Sequence, residues 1–361
     1  MLIVAALMLV HFSDHHLLNA SKRIISTKQF ESVQYNVMKG YTYLWQSDQA
    51  LLFFHFAASD RPTVHRYDTR TNVLEYPALL DKIFAESNEN SQYALDVVIS
   101  PDGRWLAWPA LRELVVSSTD GKTCYTFPGN ALDEFHFTND NLHLIEIVTE
   151  STPNYHDNSS AKFVIFQPRY CVTHAIINTL NTPQTSQNLP VSRSSPLRRD
   201  QFNDLGFPDL WTIVTTKTVS ANNVLFGYYL RDRMSKAAVQ DIYHMDLTKQ
   251  GASISQSSIR FPEGLEICEM RFSNRGDRIA WLLSEHYSPP FLTLIHRFFP
   301  TYSVRTQTRL SLRISKLDGT DMHEIGYIEG DVDSMHDLTW LPSDRDVSFV
   351  YQDSLWTAPV N

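Results

Sequence analysis

One phrase, written several times over, limits what this chain can fold into more than any other feature. Its clearest copies are Val98-Ile99-Ser100-Pro101-Asp102-Gly103-Arg104-Trp105-Leu106-Ala107-Trp108 and Arg271-Phe272-Ser273-Asn274-Arg275-Gly276-Asp277-Arg278-Ile279-Ala280-Trp281. Each runs from an apolar residue through a polar turn into an apolar strand. With Ile99 and Phe272 as anchors, weaker copies begin at Trp45, Phe137, Val219 and Trp340. In all six the apolar strand resumes seven positions after the anchor, at Leu52, Leu106, Leu144, Phe226, Ile279 and Val347. A hairpin imposes such a register: one strand ends at the anchor, a Gly, Asn or Asp supplies positive φ, and the next strand starts.

A second phrase follows at variable distance, an alternating strand closed by a turn: Tyr67-Asp68-Thr69-Arg70, Ser118-Thr119-Asp120-Gly121-Lys122, Ile177-Asn178-Thr179, Met245-Asp246-Leu247-Thr248 and Leu317-Asp318-Gly319-Thr320. Together the two phrases predict a four-stranded antiparallel unit repeated six times. The fold class they imply is all-β, a single closed β-propeller whose blades take roughly 40–50 residues each. The longest interval, from Phe137 to Val219, holds a Ser-, Thr-, Gln- and Pro-rich stretch between Leu180 and Pro208. It reads as a surface loop near 180–208, and seven blades would require a degenerate one hidden there. After Trp340 only two further strands follow, Val347 to Tyr351 and Leu355 to Val360. The last blade therefore needs an outer strand, and the alternating Gln29–Val37 segment is expected to supply it and close the ring.

The pattern Phe/Ile-Ser-x-Asp/x-Gly-x-x-Leu/Ile-Ala-Trp, followed by a strand and Asp-Gly, resembles the repeat of the TolB-like, WD-repeat-like propellers across residues 25–361. The resemblance implies protein or peptide recognition at the propeller faces or central channel, and an extracytoplasmic setting.

Composition agrees with short strands joined by tight turns: 43% hydrophobic and 12% aromatic over 361 residues. A formal net charge of −9 argues against nucleic acid as a partner, because phosphate binding needs clustered Lys and Arg. The apolar run Met1–Val10 matches a signal-peptide core but falls short of the ~20 residues that span a bilayer. Residues 1–20 are accordingly read as a leader or anchor segment and 21–361 as the propeller domain. Cys124, Cys171 and Cys268 fall in three different blades and read as small buried hydrophobes.

Motif searches assign no catalytic, cofactor-binding or metal residues. Gly-x-Ser-x-Gly, His-Glu-x-x-His, a Cys-x-x-Cys pair and a Gly-rich phosphate loop do not occur. His11, Asp14, His15 and His16 form the densest ligand-like group but lie in the leader. Asp102, Asp120, Asp140, Asp318 and Asp344 sit at turns and read as local caps. Most of the seven tryptophans are expected between blades; Trp105 is out of phase with Leu106 and Trp108 and is taken as a partner-binding candidate. The strongest departure from the repeat is a long insertion near 286–309 in the fifth blade, carrying Phe291, Leu292, Ile295, Phe298 and Phe299. Exposed apolar residues of this kind suit a partner or, through the 288–300 loop or the N-terminus, a membrane. The expected function is non-catalytic binding of a protein or peptide without a cofactor. Its alternatives are a hydrolase or lyase working in the central channel and a cytoplasmic scaffold.

Overall fold

Where the sequence repeats, the backbone repeats. The computed structural model describes residues 16–26, 41–55, 63–88, 97–110, 113–128, 134–141, 143–152, 169–180, 185–190, 211–220, 223–231, 239–248, 251–262, 264–287, 307–330, 334–352 and 354–360. Among them six four-stranded antiparallel sheets form, five in simple chain order and the sixth with the first strand of the chain beside the last. Sheet I holds β2 (Tyr41–Ser47), β3 (Ala50–His55), β4 (Thr63–Asp68) and β5 (Val73–Glu75). Sheet II holds β6 (Val98–Ile99), β7 (Trp105–Ala110), β8 (Glu113–Ser118) and β9 (Cys124–Pro128). Sheet III holds β10 (Glu134–Phe137), β11 (His143–Thr152), β12 (Arg169–Thr179) and β13 (Thr185–Pro190). Sheet IV holds β14 (Trp211–Ser220), β15 (Asn223–Arg231), β16 (Val239–Thr248) and β17 (Gly251–Arg260). Sheet V holds β18 (Leu265–Phe272), β19 (Arg278–Tyr287), β20 (Gln307–Lys316) and β21 (His323–Glu329). Sheet VI joins β22 (Met335–Trp340), β23 (Asp346–Tyr351) and β24 (Ser354–Pro359) to β1 (Lys22–Ser26), the first strand of the chain.

The seven-residue spacing is a cross-strand pairing in four sheets: Ile99 faces Leu106, Phe137 faces Leu144, Phe272 faces Ile279 and Trp340 faces Val347. In sheets I and IV a bulge intervenes. Trp45 pairs with Leu51 rather than Leu52, and Val219 falls inside the register shift between Thr218 and Ser220. The turns share one conformation, with Gly103, Asn141, Gly276 and Asp344 all at positive φ and each donating its N–H to the carbonyl three residues back. At Gly103 the turn also abuts the neighbouring sheet: a Cβ would lie 2.0 Å from the Gln46 carbonyl oxygen.

The second strand of each well-described sheet is apolar on both faces because each face meets a different neighbour. Leu51 and Phe53 pack toward sheet VI, Leu52 and Phe54 toward sheet II. Leu106 and Trp108 pack toward sheet I, Ala107 toward sheet III. Trp281 and Leu283 pack toward sheet IV, Ala280 and Leu282 toward sheet VI. First strands lie beside one another in succession: β2 with β6, then β10, β14, β18 and β22. Sheets VI and I are joined by Tyr43 OH donating to the Asp337 carbonyl (2.7 Å), Trp45 Nε1 donating to Ser348 Oγ (2.8 Å) and the Ser343 N–H donating to Asp48 (3.0 Å).

Four expectations change. The outer strand of sheet VI is β1, upstream of Gln29–Val37, which lies outside the described residues. The Ser/Thr-rich stretch after Leu180 is not all loop: Thr185–Pro190 is β13, paired along β12, because an outer strand needs backbone partners on one side and no apolar face. Helix α2 (Ala78–Asn88), absent from the strand pattern, fills the outer cleft between sheets I and II. It buries Leu80 and Phe84 there, Asp81 accepts the Val64 N–H at 2.9 Å, and Ser87 accepts from Trp108 Nε1 at 2.8 Å. Cys124 is exposed rather than buried, since β9 is an outer strand.

The N-terminal segment does more than add a strand. His16 bridges to Tyr327 at the free edge of β21, and the short helix α1 (Leu17–Ala20) then carries Leu17, with no exposed surface, into the core between sheets V and VI. Leu17→Ala is expected to cost about 2–5 kcal/mol, the usual penalty for emptying a closed core site. Urea denaturation checks it; a loss below about 0.5 kcal/mol, typical of surface substitutions, would deny the segment that role.

Candidate functional site

Where the first strands meet, β18 and β22 each carry a bulge. The register slips between Ile267 and Glu269 on β18 and between His336 and Thr339 on β22, where Asp337 takes the left-handed conformation at φ 56°. Bulges re-aim side chains, and Asp tolerates this backbone region better than most residues. The slip leaves the Leu338 N–H outside the ladder to β23, and it donates instead to Glu269 Oε2 at 3.1 Å. Glu269 Oε1 lies 2.7 Å from Arg271 Nη2, while Arg271 Nη1 donates to the Met270 carbonyl and Trp340 Nε1 donates to the Arg271 carbonyl. Next to this pair, His336 Nδ1 and Asp337 Oδ2 lie 3.0 Å apart.

The four side chains differ in exposure: Glu269 is 12% exposed, Arg271 37%, His336 36% and Asp337 47%. Burial, the largest cause, raises the Glu269 pKa; Asp337 adds to the rise, and Arg271, the Leu338 N–H and His336 oppose it. The result is one buried carboxyl that resists ionisation, beside three more exposed charged or polar groups. Such a grouping can exchange hydrogen bonds and charge with a ligand.

The sequence points to this place only faintly. Glu266, Glu269 and Arg271 interrupt the apolar pattern just before the anchor Phe272, and His336 and Asp337 do so before Trp340. The repeat directs attention to the turn after each anchor, whereas the charged groups come before it. Of the residues singled out from sequence, Phe291, Leu292, Ile295, Phe298 and Phe299 lie outside the described residues, as do His11, Asp14 and His15. Trp105 is half-buried and packs with Tyr125, ring centroids 5.7 Å apart, against the core between sheets II and III. Its opposite phase to Leu106 and Trp108 means that it serves the other face of the same strand. Trp45, Trp108, Trp281 and Trp340 are all buried between sheets.

The turn aspartates divide. Asp102 accepts from Ser100 Oγ and the Arg104 N–H, and Asp318 from the Thr320 N–H, as local caps do. Asp120 accepts from Ser118 Oγ and the Lys122 N–H, which lower its pKa to about 2. Asp140 takes Thr138 Oγ1 and His143. Asp344 is not a local cap: its carboxylate receives the Asn274 and Arg275 N–H groups, clamping the hairpin of sheet V to that of sheet VI.

No protein-family model matches the chain, and no curated protein does. Among solved structures it is similar to a prolyl endopeptidase at 12% identity, over 89% of this chain and 51% of that one, with a TM-score of 0.42. It is similar to the WD40 domain of SCAP from fission yeast at 7% identity, over 89% and 98%, TM-score 0.35. Dipeptidyl peptidase 4 of Porphyromonas gingivalis gives 10% identity over 86% and 48%, TM-score 0.37. The chain thus spans about half the length of each of these peptidases.

The direction of the Glu269 shift sets a pH dependence. Unfolded, this carboxyl titrates at its ordinary value of 4.5; folded, it holds its proton to higher pH. Between those two values the folded state binds more protons, so stability falls as pH rises through the window. Glu269→Gln removes the charge and keeps an acceptor for the Leu338 N–H. The melting temperature of the variant minus that of the wild type is expected to be positive at neutral pH and to shrink as the pH is lowered toward 4.5. A flat difference profile would show that burial does not govern this carboxyl.

Proposed function

We propose that the six sheets are the blades of one closed, six-bladed propeller of the TolB-like, WD-repeat-like kind, and that it binds a protein or peptide without catalysis. Two features support closure: β1 completes the last sheet, and hydrogen bonds run from sheet VI to sheet I at Tyr43, Trp45 and Asp48. An extracytoplasmic setting is part of the same proposal and rests on the apolar Met1–Val10 run.

The observation that carries the binding reading is the state of the charged groups where the first strands meet. Glu269 is engaged by Arg271 and the Leu338 N–H, and His336 by Asp337. A general base or nucleophile needs a lone pair aimed at substrate, whereas these groups satisfy one another and leave Arg271, His336 and Asp337 partly open to a partner. The same grouping of His, Asp, Glu and Arg is what would suit a hydrolase or lyase, so that reading stands second.

Immobilised full-length protein should retain a specific partner that an Arg271→Ala, His336→Ala variant loses, with turnover of chromogenic ester, peptide and glycoside substrates at background for both. Turnover by the intact protein that the variant abolishes would replace binding with catalysis.

A further inference from the structure

Arg271 is the one permanently charged cation on β18 and β22, and Glu269 holds it. With Glu269 ionised, Glu269, Arg271 and Asp337 together carry one net negative charge. Once Glu269 takes a proton, that net negative charge is gone. We propose that this is an acid-switched carboxylate site: when ionised, Glu269 occupies the guanidinium, and when Glu269 is protonated Arg271 turns to a carboxylate of the bound peptide. That carboxylate comes from a C-terminus or from an Asp or Glu side chain. The inference rests on the binding reading above and names the chemistry of its ligand.

The geometry separates the two duties of Glu269. Oε2 takes the Leu338 N–H and Oε1 faces Arg271. A protonated carboxyl keeps an acceptor for the Leu338 N–H, so the bulge on β22 persists while the guanidinium loses its ionic partner. Freed, the planar fork of Arg271 matches a carboxylate bidentately. A peptide carboxylate in solvent has its pKa below that of the buried Glu269 and stays ionised while the switch turns.

Among the described residues, charged and titratable groups stand on each neighbouring strand. Glu266 shares β18, while His336 and Asp337 stand on β22 and Tyr43 of β2 donates to the Asp337 carbonyl. On β19, Arg278 lies over the Trp340 ring at 4.9 Å and donates to the Asp344 carbonyl, while Glu285 and His286 engage Arg309 and Thr308 of β20. Tyr287 ends β19. The ionisable residues of the adjacent β14 and β15 are Lys217, Tyr228, Tyr229 and Arg231.

Calorimetric titration of the full chain with acetyl-triglycine, its C-terminal amide and acetyl-aspartic acid amide tests the switch. For the intact protein a carboxylate probe should bind about tenfold more tightly at about pH 5.5 than at about pH 7.5, the size of one pKa unit of coupling. The C-terminal amide of triglycine should not bind, and the better of the two carboxylate probes identifies the source. Glu269→Gln should bind at both pH values within about twofold, and Arg271→Gln at neither. No carboxylate binding at the lower pH, affinity independent of pH in the intact protein, or binding that survives Arg271→Gln would overturn the proposal. The intact protein alone keeps the test decisive where a variant fails to fold. Partner capture without any pH or Glu269 dependence defeats this inference and spares the binding reading; carboxylate binding without partner capture does the reverse.

Discussion

A sheet that is apolar on both faces cannot stand alone, and every other feature of this protein follows from that constraint. Leu51-Leu52-Phe53-Phe54 offers side chains alternately to sheet VI and sheet II, and Ile279-Ala280-Trp281-Leu282-Leu283 to sheets IV and VI. Burying one such side chain stabilises by roughly 1.5–3 kcal/mol, so each interface is worth far more than the polar links at its rim. The rim links set spacing instead. Gln46 reaches Gly103 and Thr119, Asn141 reaches Asp102, and Asp344 gathers Asn274 and Arg275, each holding one first hairpin against the next.

The repeat was legible because a hairpin leaves a fixed distance in sequence, and that distance survives as a cross-strand pair at Ile99, Phe137, Phe272 and Trp340. It blurred where one extra residue entered the strand, at Gln46 and Val219, since a bulge shifts register without changing composition. Outer strands were harder. β13 reads Thr-Ser-Gln-Asn-Leu-Pro and β1 reads Lys-Arg-Ile-Ile-Ser, and neither needs the apolar alternation that marks an inner strand. Helix α2 was hidden for a related reason: it is short and its apolar residues serve only one cleft.

The charged residues before the anchors were harder still. Glu269 and Arg271 lie two apart on one strand, which ordinarily reads as a solvated face. Only the adjoining bulges, invisible in sequence, turn Glu269 toward a backbone N–H on another sheet. A buried carboxyl with a cation and an amide donor is held in place by hydrogen bonds while paying a desolvation cost. The two effects oppose each other at Glu269, and burial, the larger, raises its pKa.

Pairing Lys22 with Thr357 has a consequence for how the chain folds. Residues 16–26 are made well before the surfaces they cover, β21, β24 and the core around Leu17. Each inner hairpin can form as it emerges, because its partners are a few residues apart, whereas this segment must wait and then close a loop of 335 residues between Lys22 and Thr357. The entropic penalty of that closure grows only logarithmically with length, so delay rather than instability is the larger effect. Until it docks, β21 and β24 each present an unpaired edge, and the nascent protein is at its most vulnerable to mispairing with another copy.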